Sequence, residues 1–327
     1  MNISEIAKLA GVSKAAVSRY LNDGYLSEEK KQAIAKVIAE TGYRPMIQAQ
    51  SLRTRKTRII GVVLPKISSF SISTILAGIE SVLEKQGFQI LLADSHNDPE
   101  RELESLRLFA HQRVDGVILI ATVLTAAHRA LLRRMGPVVV LGQRLRGVNC
   151  VYHDDYNAFY EMTKLVLAKG CRRLGYIGAL PKDVAVGAER SRAWADALTA
   201  AGMADQAGNT VIAEFSIASG REKARELWEK FGPLDAVICA TDSMAVGALQ
   251  YLRSQGVRVP GQTLLTGQGA SNISEATTPT ITTIRYFYEE SGTSAARLLL
   301  EQLETPDLPA KEIKLGYTLV EQDSTRR

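Results

Sequence analysis

The stretch ISEIAKLAGVSKAAVSRYLN, residues Ile3–Asn22, contains two short helical patterns separated by a glycine. Aliphatic residues recur at helical spacing in its first half, and Gly11 ends that pattern because glycine adopts a positive φ at little cost. Ser13 is well placed to cap a second helix, which carries Val17 and Leu21 on its buried side. The stretch therefore predicts a helix, a tight turn and a second helix.

A third helical pattern follows and completes a small core. It begins at Ser27, carries Ile34, Val37 and Ile38 on one face, and stops at Thr41-Gly42. A helix–turn–helix unit of this kind places its second helix in the major groove of DNA. The sequence thus predicts a three-helix head that binds DNA.

The exposed side of the second helix offers side chains suited to DNA contact. These candidates are Ser13, Lys14, Ala15, Ser18, Arg19 and Asn22. Arg19 can make two hydrogen bonds to a guanine edge, whereas Ser18 and Asn22 suit phosphates or bases. On these residues alone, an ordinary helical pair with a solvated polar face remains an alternative, because the geometry is common.

The positive charge of the chain is concentrated at its beginning. The first 60 residues hold eleven lysines and arginines against five acids, a net charge of +6, whereas the remaining 267 residues have a net charge of −1. Five of the basic residues lie in the segment from Tyr43 to Arg58, which has few apolar residues and is predicted to be a linker. Such asymmetry indicates a small head that binds a polyanion, joined to a nearly neutral body.

From Ile59 onward, short β-rich runs alternate with longer amphipathic stretches. Examples are IIGVVLP from Ile59, VDGVILI from Val114 and DAVICA from Asp235. Apolar strands that alternate with helices indicate parallel α/β sheets covered on both faces. The series is too long for one core and breaks near Val148–Asp155, so we expect two similar subdomains. Ligands of such folds bind outside the carboxyl ends of the strands.

Composition and motifs exclude several other classes of protein. The apolar runs are shorter than the roughly 20 residues that a spanning helix needs, and the first residues do not resemble a signal peptide, so we expect a cytoplasmic protein without membrane contact. The four histidines lack metal-ligand spacing, and there is no G-x-S-x-G elbow or G-x-x-x-x-G-K-S/T loop. Cys150, Cys171 and Cys239 are expected to be reduced core thiols. We therefore expect no enzymatic activity, no metal and no cofactor.

The head and later segments together resemble the lactose-repressor (LacI/GalR) family of bacterial transcription regulators, whose head reads roughly I-x-D/E-I-A-x-x-A-G-V-S-x-x-T-V-S-R-x-L-N. Matching head positions are Ile3, Glu5, Ile6, Ala7, Ala10, Gly11, Val12, Ser13, Val17, Ser18, Arg19, Leu21 and Asn22. Later matches are Tyr25-Leu26-Ser27, Gly42-Tyr43-Arg44-Pro45, Ala49 with Ser51-Leu52, Ile60-Gly61, Val114-Asp115-Gly116, and Asp242 with Ala245 and Gly247-Ala248. Departures from the family's pattern are Ala16, Tyr20, Met46 and Gln50.

The resemblance implies a nucleoid-associated homodimer whose two heads read the half-sites of a pseudo-palindromic, double-stranded operator. It implies three domains: a DNA-binding head over 1–45, a hinge helix or linker over 46–58, and an effector-binding and dimerisation body over 59–327, whose subdomains are 59–150 with 286–320, and 151–285. Met46–Arg53 matches the family's hinge helix, with Ala49, Leu52 and Arg53 as DNA contacts and Leu52 as a minor-groove wedge. A flexible basic spacer is the alternative for this stretch.

Within the family, DVAVGAERSRAW from Asp183 and CVYHDDYNA from Cys150 are most similar to the trehalose-operon repressors. The implied effector is a sugar phosphate such as trehalose 6-phosphate. The candidate effector-binding residues are Lys66, Arg144, Arg146, Asp183, Arg190, Asp242 and Gln268. Lys66, Arg144 and Arg146 follow predicted strands, so we expect three bases to face the cleft. Solvated loop charges are the alternative for these three residues.

Two further observations bear on the effector. The segment Gly267–Ala270 has no acid where many family members carry one or two, which favours an anionic ligand. Asp242 is either a ligand contact or only the cap of its helix. A sugar-binding receptor of the periplasmic type is the competing prediction, because it shares the α/β body, but it would need a signal peptide and would lack the head.

Overall fold

The computed structural model describes residues 1–22, 24–43, 57–111 and 114–326. The chain divides into two compact units, Met1–Thr57 and Arg58–Arg327. The predicted hinge residues Ala49, Leu52 and Arg53 lie outside the described residues.

The first unit is a three-helix head. Its helices are α1 (Ile3–Leu9), α2 (Lys14–Tyr20) and α3 (Glu28–Thr41). Asn2 and Glu5 form a capping box at α1, and the Ser13 hydroxyl accepts a hydrogen bond from the Ala16 amide at 3.2 Å. Ile6, Val17 and Ile34 are fully buried between the helices. Because each helix contributes a fully buried apolar side chain to this core, short helices that are marginal alone stabilise one another.

The second unit contains two parallel sheets. Sheet A has the order β11-β5-β4-β3-β1-β2, sheet B has the order β7-β6-β8-β9, and β10 pairs with β12 in a short antiparallel ribbon. The strands of sheet A are β1 (Ile59–Leu64), β2 (Gln89–Asp94), β3 (Gly116–Ile120), β4 (Val138–Leu141), β5 (Asn149–His153) and β11 (Glu312–Leu315). The others are β6 (Leu174–Gly178), β7 (Thr210–Ile212), β8 (Ala236–Cys239), β9 (Leu264–Thr266), β10 (Thr283–Tyr286) and β12 (Tyr317–Val320).

Helices cover both faces of each sheet. Around sheet A they are α4 (Phe70–Leu83), α5 (Pro99–His111), α6 (Ala126–Leu132) and α12 (Tyr288–Glu304). Around sheet B they are α7 (Asp155–Ala168), α8 (Arg190–Ala200), α9 (Ile217–Phe231), α10 (Asp242–Ser254) and the short α11 (Asn272–Glu275). The central strands are buried on both sides, which is why they read as continuous apolar runs. The predicted fold class is confirmed.

The chain passes between the two sheets three times: between β5 and α7, between β10 and α12, and between β11 and β12. The last strand of sheet A therefore comes from the end of the chain, where Ile313 pairs with Val151. Cys150, Cys171 and Cys239 are buried thiols. No helix in the described ranges is long and apolar enough to cross a lipid bilayer.

Each subdomain contains a pair of helices that touch at glycines. In the pair α4–α12, a Cβ on Gly78 would lie 2.1 Å from the Glu289 carbonyl oxygen. In the pair α9–α10, a Cβ on Gly247 would lie 2.1 Å from the Ile217 carbonyl oxygen. Because the obstacle in both cases is backbone, a larger residue can be accommodated only if the helices move apart.

This close approach predicts that Gly247→Ala lowers the free energy of unfolding by about 1–3 kcal/mol through overpacking, in spite of the higher helix propensity of alanine. Urea unfolding followed by circular dichroism measures the change. Gly208→Ala is the matched control, since a Cβ at Gly208 meets no atom within 4 Å. Equal destabilisation by the two substitutions would contradict the packing argument.

Candidate functional site

The predicted DNA-contacting residues of the head lie on and next to α2. Lys14, Ala15 and Arg19 are exposed, and Ser18 is half-buried. Asn22 is exposed just beyond the helix, where its amide donates to the Ser18 carbonyl. The Ser13 hydroxyl is used to cap α2. Since α2 contains no acidic residue, its exposed face presents only neutral and basic groups.

In the body, a cavity of about 620 Å³ lies between the two subdomains. It is bordered by residues that follow the carboxyl ends of strands in both sheets, as expected for parallel α/β folds. Of the predicted effector-binding residues, those that line it are Lys66, Asp183, Arg190, Asp242 and Gln268. A volume in this range is typical of small-molecule sites.

A buried ion pair forms one wall of the cavity. Arg190, the first residue of α8, donates from Nε and Nη2 to Asp155 Oδ1 at 2.8 and 2.5 Å. Its Nη1 donates to the Ala240 carbonyl at the end of β8, and its guanidinium carbon lies 5.2 Å from the centroid of the Tyr286 ring. Burial opposes the charge of Arg190, but Tyr286 and Asp155 outweigh that effect and raise its pKa. The guanidinium is therefore held in one orientation before any ligand arrives.

Asp242, another cavity residue, ties three segments together. Its Oδ2 accepts hydrogen bonds from the Ser271 amide and hydroxyl at 2.7 and 2.8 Å, and its Oδ1 accepts one from the Thr283 hydroxyl at 2.6 Å. Thr241, not Asp242, caps α10. Burial raises the pKa of Asp242 in spite of these bonds. A Cβ on residue 267 would lie 2.5 Å from Asp242 Oδ1, which explains the glycine there.

A hydrogen bond crosses the cleft between the subdomains. Gln143, after β4, donates from Nε2 to Asp183 Oδ1 at 2.7 Å and to the Thr122 carbonyl at 2.9 Å. Asp183 Oδ1 also accepts from the Val186 amide. Burial raises the pKa of Asp183 to about 6, and the bonds from Val186 and Gln143 oppose this rise. Asp183 thus pairs with the other subdomain while it lines the cavity.

Arg144 and Arg146 are a correction to the predicted site, because neither lines the cavity. The two arginines flank Leu145, which is buried, so both are left exposed on the outside of the loop. Arg144 Nε donates to Glu312 Oε2 on β11 at 2.7 Å. Of the described residues, the charged side chains that line the cavity are Lys66, Arg190, Asp155, Asp183 and Asp242. The expected excess of positive charge is therefore absent from this lining.

Sequence reasoning missed several cavity residues, among them Gln143, His153, Tyr286 and Tyr288. Gln143 and His153 lie at or just after the ends of strands, which is the same signal that identified Lys66. Tyr286 and Tyr288 lie where β10 passes into α12, and no local pattern indicates that this junction faces the cavity. In the described ranges, no group of three His, Cys, Asp or Glu side chains is arranged to hold a metal ion.

Comparison with known proteins gives matches in both units. Residues 2–46 match the bacterial regulatory proteins of the lacI family, and residues 163–325 match the periplasmic binding protein-like domain. The sucrose operon repressor of Staphylococcus xylosus is 30% identical over 304 residues, which cover 93% of this chain and 94% of that protein. The regulator RegA of Clostridium saccharobutylicum is 30% identical over 328 residues, 99% of both chains.

The chain belongs to the LacI family. It is a DNA-binding transcriptional repressor of the LacI type and not an enzyme. A solved complex of the transcriptional regulator CelR with cellobiose has a TM-score of 0.76 at 28% identity and covers 99% of both chains. The lac repressor dimer bound to operator has a TM-score of 0.89 at 21% identity, which supports the fold. The predicted trehalose branch is not confirmed by these relatives.

The raised pKa of Asp183 predicts a defined pH dependence of stability. Because the folded state holds this proton up to a higher pH than the unfolded state, Asp183 lowers the free energy of unfolding as pH rises from about 4 to about 7. Asp183→Asn removes this loss and keeps an acceptor for Gln143, so its stability relative to the parent should rise by about 2 kcal/mol over that interval. Urea unfolding at several pH values measures the difference. A difference that does not vary with pH would contradict the buried carboxyl.

Proposed function

We propose that this LacI-family repressor is a homodimer that binds a pseudo-palindromic operator, and that a sugar held in the cavity of the body controls the binding. The observation that carries the proposal is the cavity itself, where carboxylate, amide and guanidinium groups from both subdomains surround one volume next to apolar and aromatic side chains. Such a lining suits a polyhydroxylated ligand. The names of the relatives agree, since one is a sucrose operon repressor and another was solved with cellobiose.

The division of labour along the chain follows the predicted boundaries. In the proposal, residues 1–45 read the operator, 46–58 form the hinge, and 59–327 bind effector and dimerise. Exposed leucines on the edge strand β2, Leu91 and Leu92, are apolar surface that a second copy of the chain would cover. The repressor would act in the cytoplasm, on the nucleoid. A sugar receptor without gene regulation is disfavoured because residues 2–46 match a DNA-binding family.

In the head, α2 is the proposed recognition helix. Arg19 reads a guanine edge, while Lys14, Ser18 and Asn22 hold phosphates or neighbouring bases. Ser13 sets the start of the helix, and Ala15 is small enough to allow close approach to a thymine methyl group. In the hinge, Ala49, Leu52 and Arg53 are proposed to enter the minor groove, with Leu52 as the wedge.

Arg19→Ala should lower the affinity for operator by about 1–3 kcal/mol, because two hydrogen bonds to one base are lost. Affinity for random DNA should fall much less. Mobility shifts with an operator selected from random oligonucleotides give both values. Lys36→Ala on α3 is the control, since it removes the same charge from an exposed position of the head outside α2. An unchanged ratio of specific to random affinity for Arg19→Ala would show that α2 does not read the bases.

For the effector we propose a phosphorylated disaccharide such as trehalose 6-phosphate. Lys66 lines one side of the cavity, beside Ser69 and Ser71 at the start of α4. A helix N-terminus with a neighbouring lysine favours an anion. Asp183 and Asp242 lie at the side that belongs to sheet B, where carboxylates suit sugar hydroxyls and repel phosphate. One ligand with a phosphate at one end and hydroxyls at the other satisfies both sides.

Isothermal titration should show trehalose 6-phosphate binding more tightly than trehalose, by about tenfold or more, because the phosphate meets Lys66. Sucrose 6-phosphate and sucrose form a second pair that tests whether the preference depends on the sugar. Lys66→Ala should reduce the difference in affinity between the phosphorylated and the free form of each sugar. Arg146→Ala removes an equivalent charge outside the cavity and should leave this difference in affinity unchanged. Equal affinities for phosphorylated and free sugars in the parent protein would rule out the anionic effector.

A further inference from the structure

Two side-chain nitrogens at the cavity are buried and have no hydrogen-bond partner in the part of the chain that the structure describes. They are Nε2 of His153 and Nε2 of Gln268, and both residues line the cavity. A buried polar atom without a partner costs free energy, so such atoms in a binding cavity are expected to be satisfied by the ligand. Both residues contact the side chain of Tyr286. His153 is the last residue of β5 in sheet A, whereas Gln268 lies just after β9 in sheet B.

His153 lies between two tyrosine rings that also line the cavity. The ring packs between Tyr286 and Tyr288, with centroid distances of 5.1 and 5.5 Å. Burial lowers the pKa of the His153 ring, which favours the neutral form, and an interaction with the Phe287 backbone opposes this effect. A neutral ring carries one hydrogen, and the buried Nε2 is the nitrogen left without a partner among the described residues. A neutral ring with hydrogen on Nδ1 presents a lone pair at Nε2.

The side-chain amide of Gln268 presents a hydrogen-bond donor to the cavity, not an acceptor. The Tyr286 hydroxyl donates to Gln268 Oε1 at 2.5 Å, which leaves the amide nitrogen as a free donor. The cavity therefore offers an acceptor on one side of Tyr286 and a donor on the other. A phosphate oxygen at neutral pH can satisfy only the donor, whereas a hydroxyl group can satisfy either.

We propose that His153 is a specificity-determining residue that accepts a hydrogen bond from an effector hydroxyl, next to a hydroxyl or ring oxygen that accepts from Gln268. This inference rests on the proposed sugar effector and adds which end of the sugar faces the junction of the subdomains. The hydroxyl end contacts His153 and Gln268, and any phosphate lies away from them, toward Lys66.

Titration calorimetry with monodeoxyfluoro analogues of trehalose 6-phosphate tests the proposal, because fluorine cannot donate a hydrogen bond. In the parent protein, one position should lose about tenfold in affinity on fluorination, as expected for one hydrogen bond. In His153→Phe, which keeps the aromatic packing, that position should lose less than about twofold. His153→Gln, which keeps an acceptor, should restore part of the discrimination, and His111→Phe, an exposed control, should behave as the parent.

If the position that loses about tenfold in the parent loses as much in His153→Phe, the proposal is overturned and His153 serves only in packing. A second measurement does not depend on the sugar. ¹⁵N spectra of the four histidines, with His153→Phe as the assignment control, should show His153 neutral with hydrogen on Nδ1 at pH 7. Hydrogen on Nε2 would overturn the proposal. Failure of both sugar phosphates to bind, with the expected Nδ1–H form present, would instead overturn the proposed effector.

Discussion

The buried pair of Asp155 and Arg190 is the interaction on which the body of this protein depends. Asp155 stands directly after the first passage of the chain from sheet A to sheet B, and Arg190 begins a helix of sheet B. Through its third nitrogen, Arg190 also reaches the end of β8, and its flat face covers Tyr286 near the second passage. Removing either partner would leave an unpaired charge in a buried place, at a cost of several kcal/mol. The pair therefore fixes one wall of the cavity and holds β8 and Tyr286 against it.

Most polar groups around the cavity are already used by the protein. Asp242 holds a loop and a strand, Asp183 accepts from the other subdomain, and the Arg190 guanidinium is committed to Asp155. What is left for a ligand is a smaller set of atoms, including Lys66 Nζ and the unpartnered nitrogens of His153 and Gln268. Preorganisation of this kind reduces the entropy lost on binding, because the walls need little rearrangement. Selectivity then depends on the few atoms that remain unsatisfied.

The fold and part of the site could be predicted from the sequence because they obey local rules. Buried strands are continuous apolar runs, and residues that follow them face the cleft, which placed Lys66 at the cavity. Asp183 and Gln268, which also line the cavity, were named through the family resemblance. Arg144 and Arg146 also follow a strand, but the burial of Leu145 between them turns both side chains outward. The distance of a residue from the end of a strand does not predict which side chain of the loop is buried. His153 and Tyr286 are separated by more than a hundred residues, and only the repeated crossing of the chain brings their rings together. Ala49, Leu52 and Arg53 remain predictions.

The position of β11 in the sheet has a consequence for the order of events during synthesis. Sheet A needs this strand beside β5, yet β11 is made after nearly all of sheet B. A nascent chain on the ribosome can therefore form the head early, from contacts between neighbours in sequence, whereas the first sheet stays open along β5 until residues 312–315 have been made. During that interval the exposed edge of β5 is available to other unpaired strands. The need of this repressor for chaperones should accordingly come from the late closing of its first sheet. A chain truncated before residue 312 would keep a foldable head, but its body would lack β11.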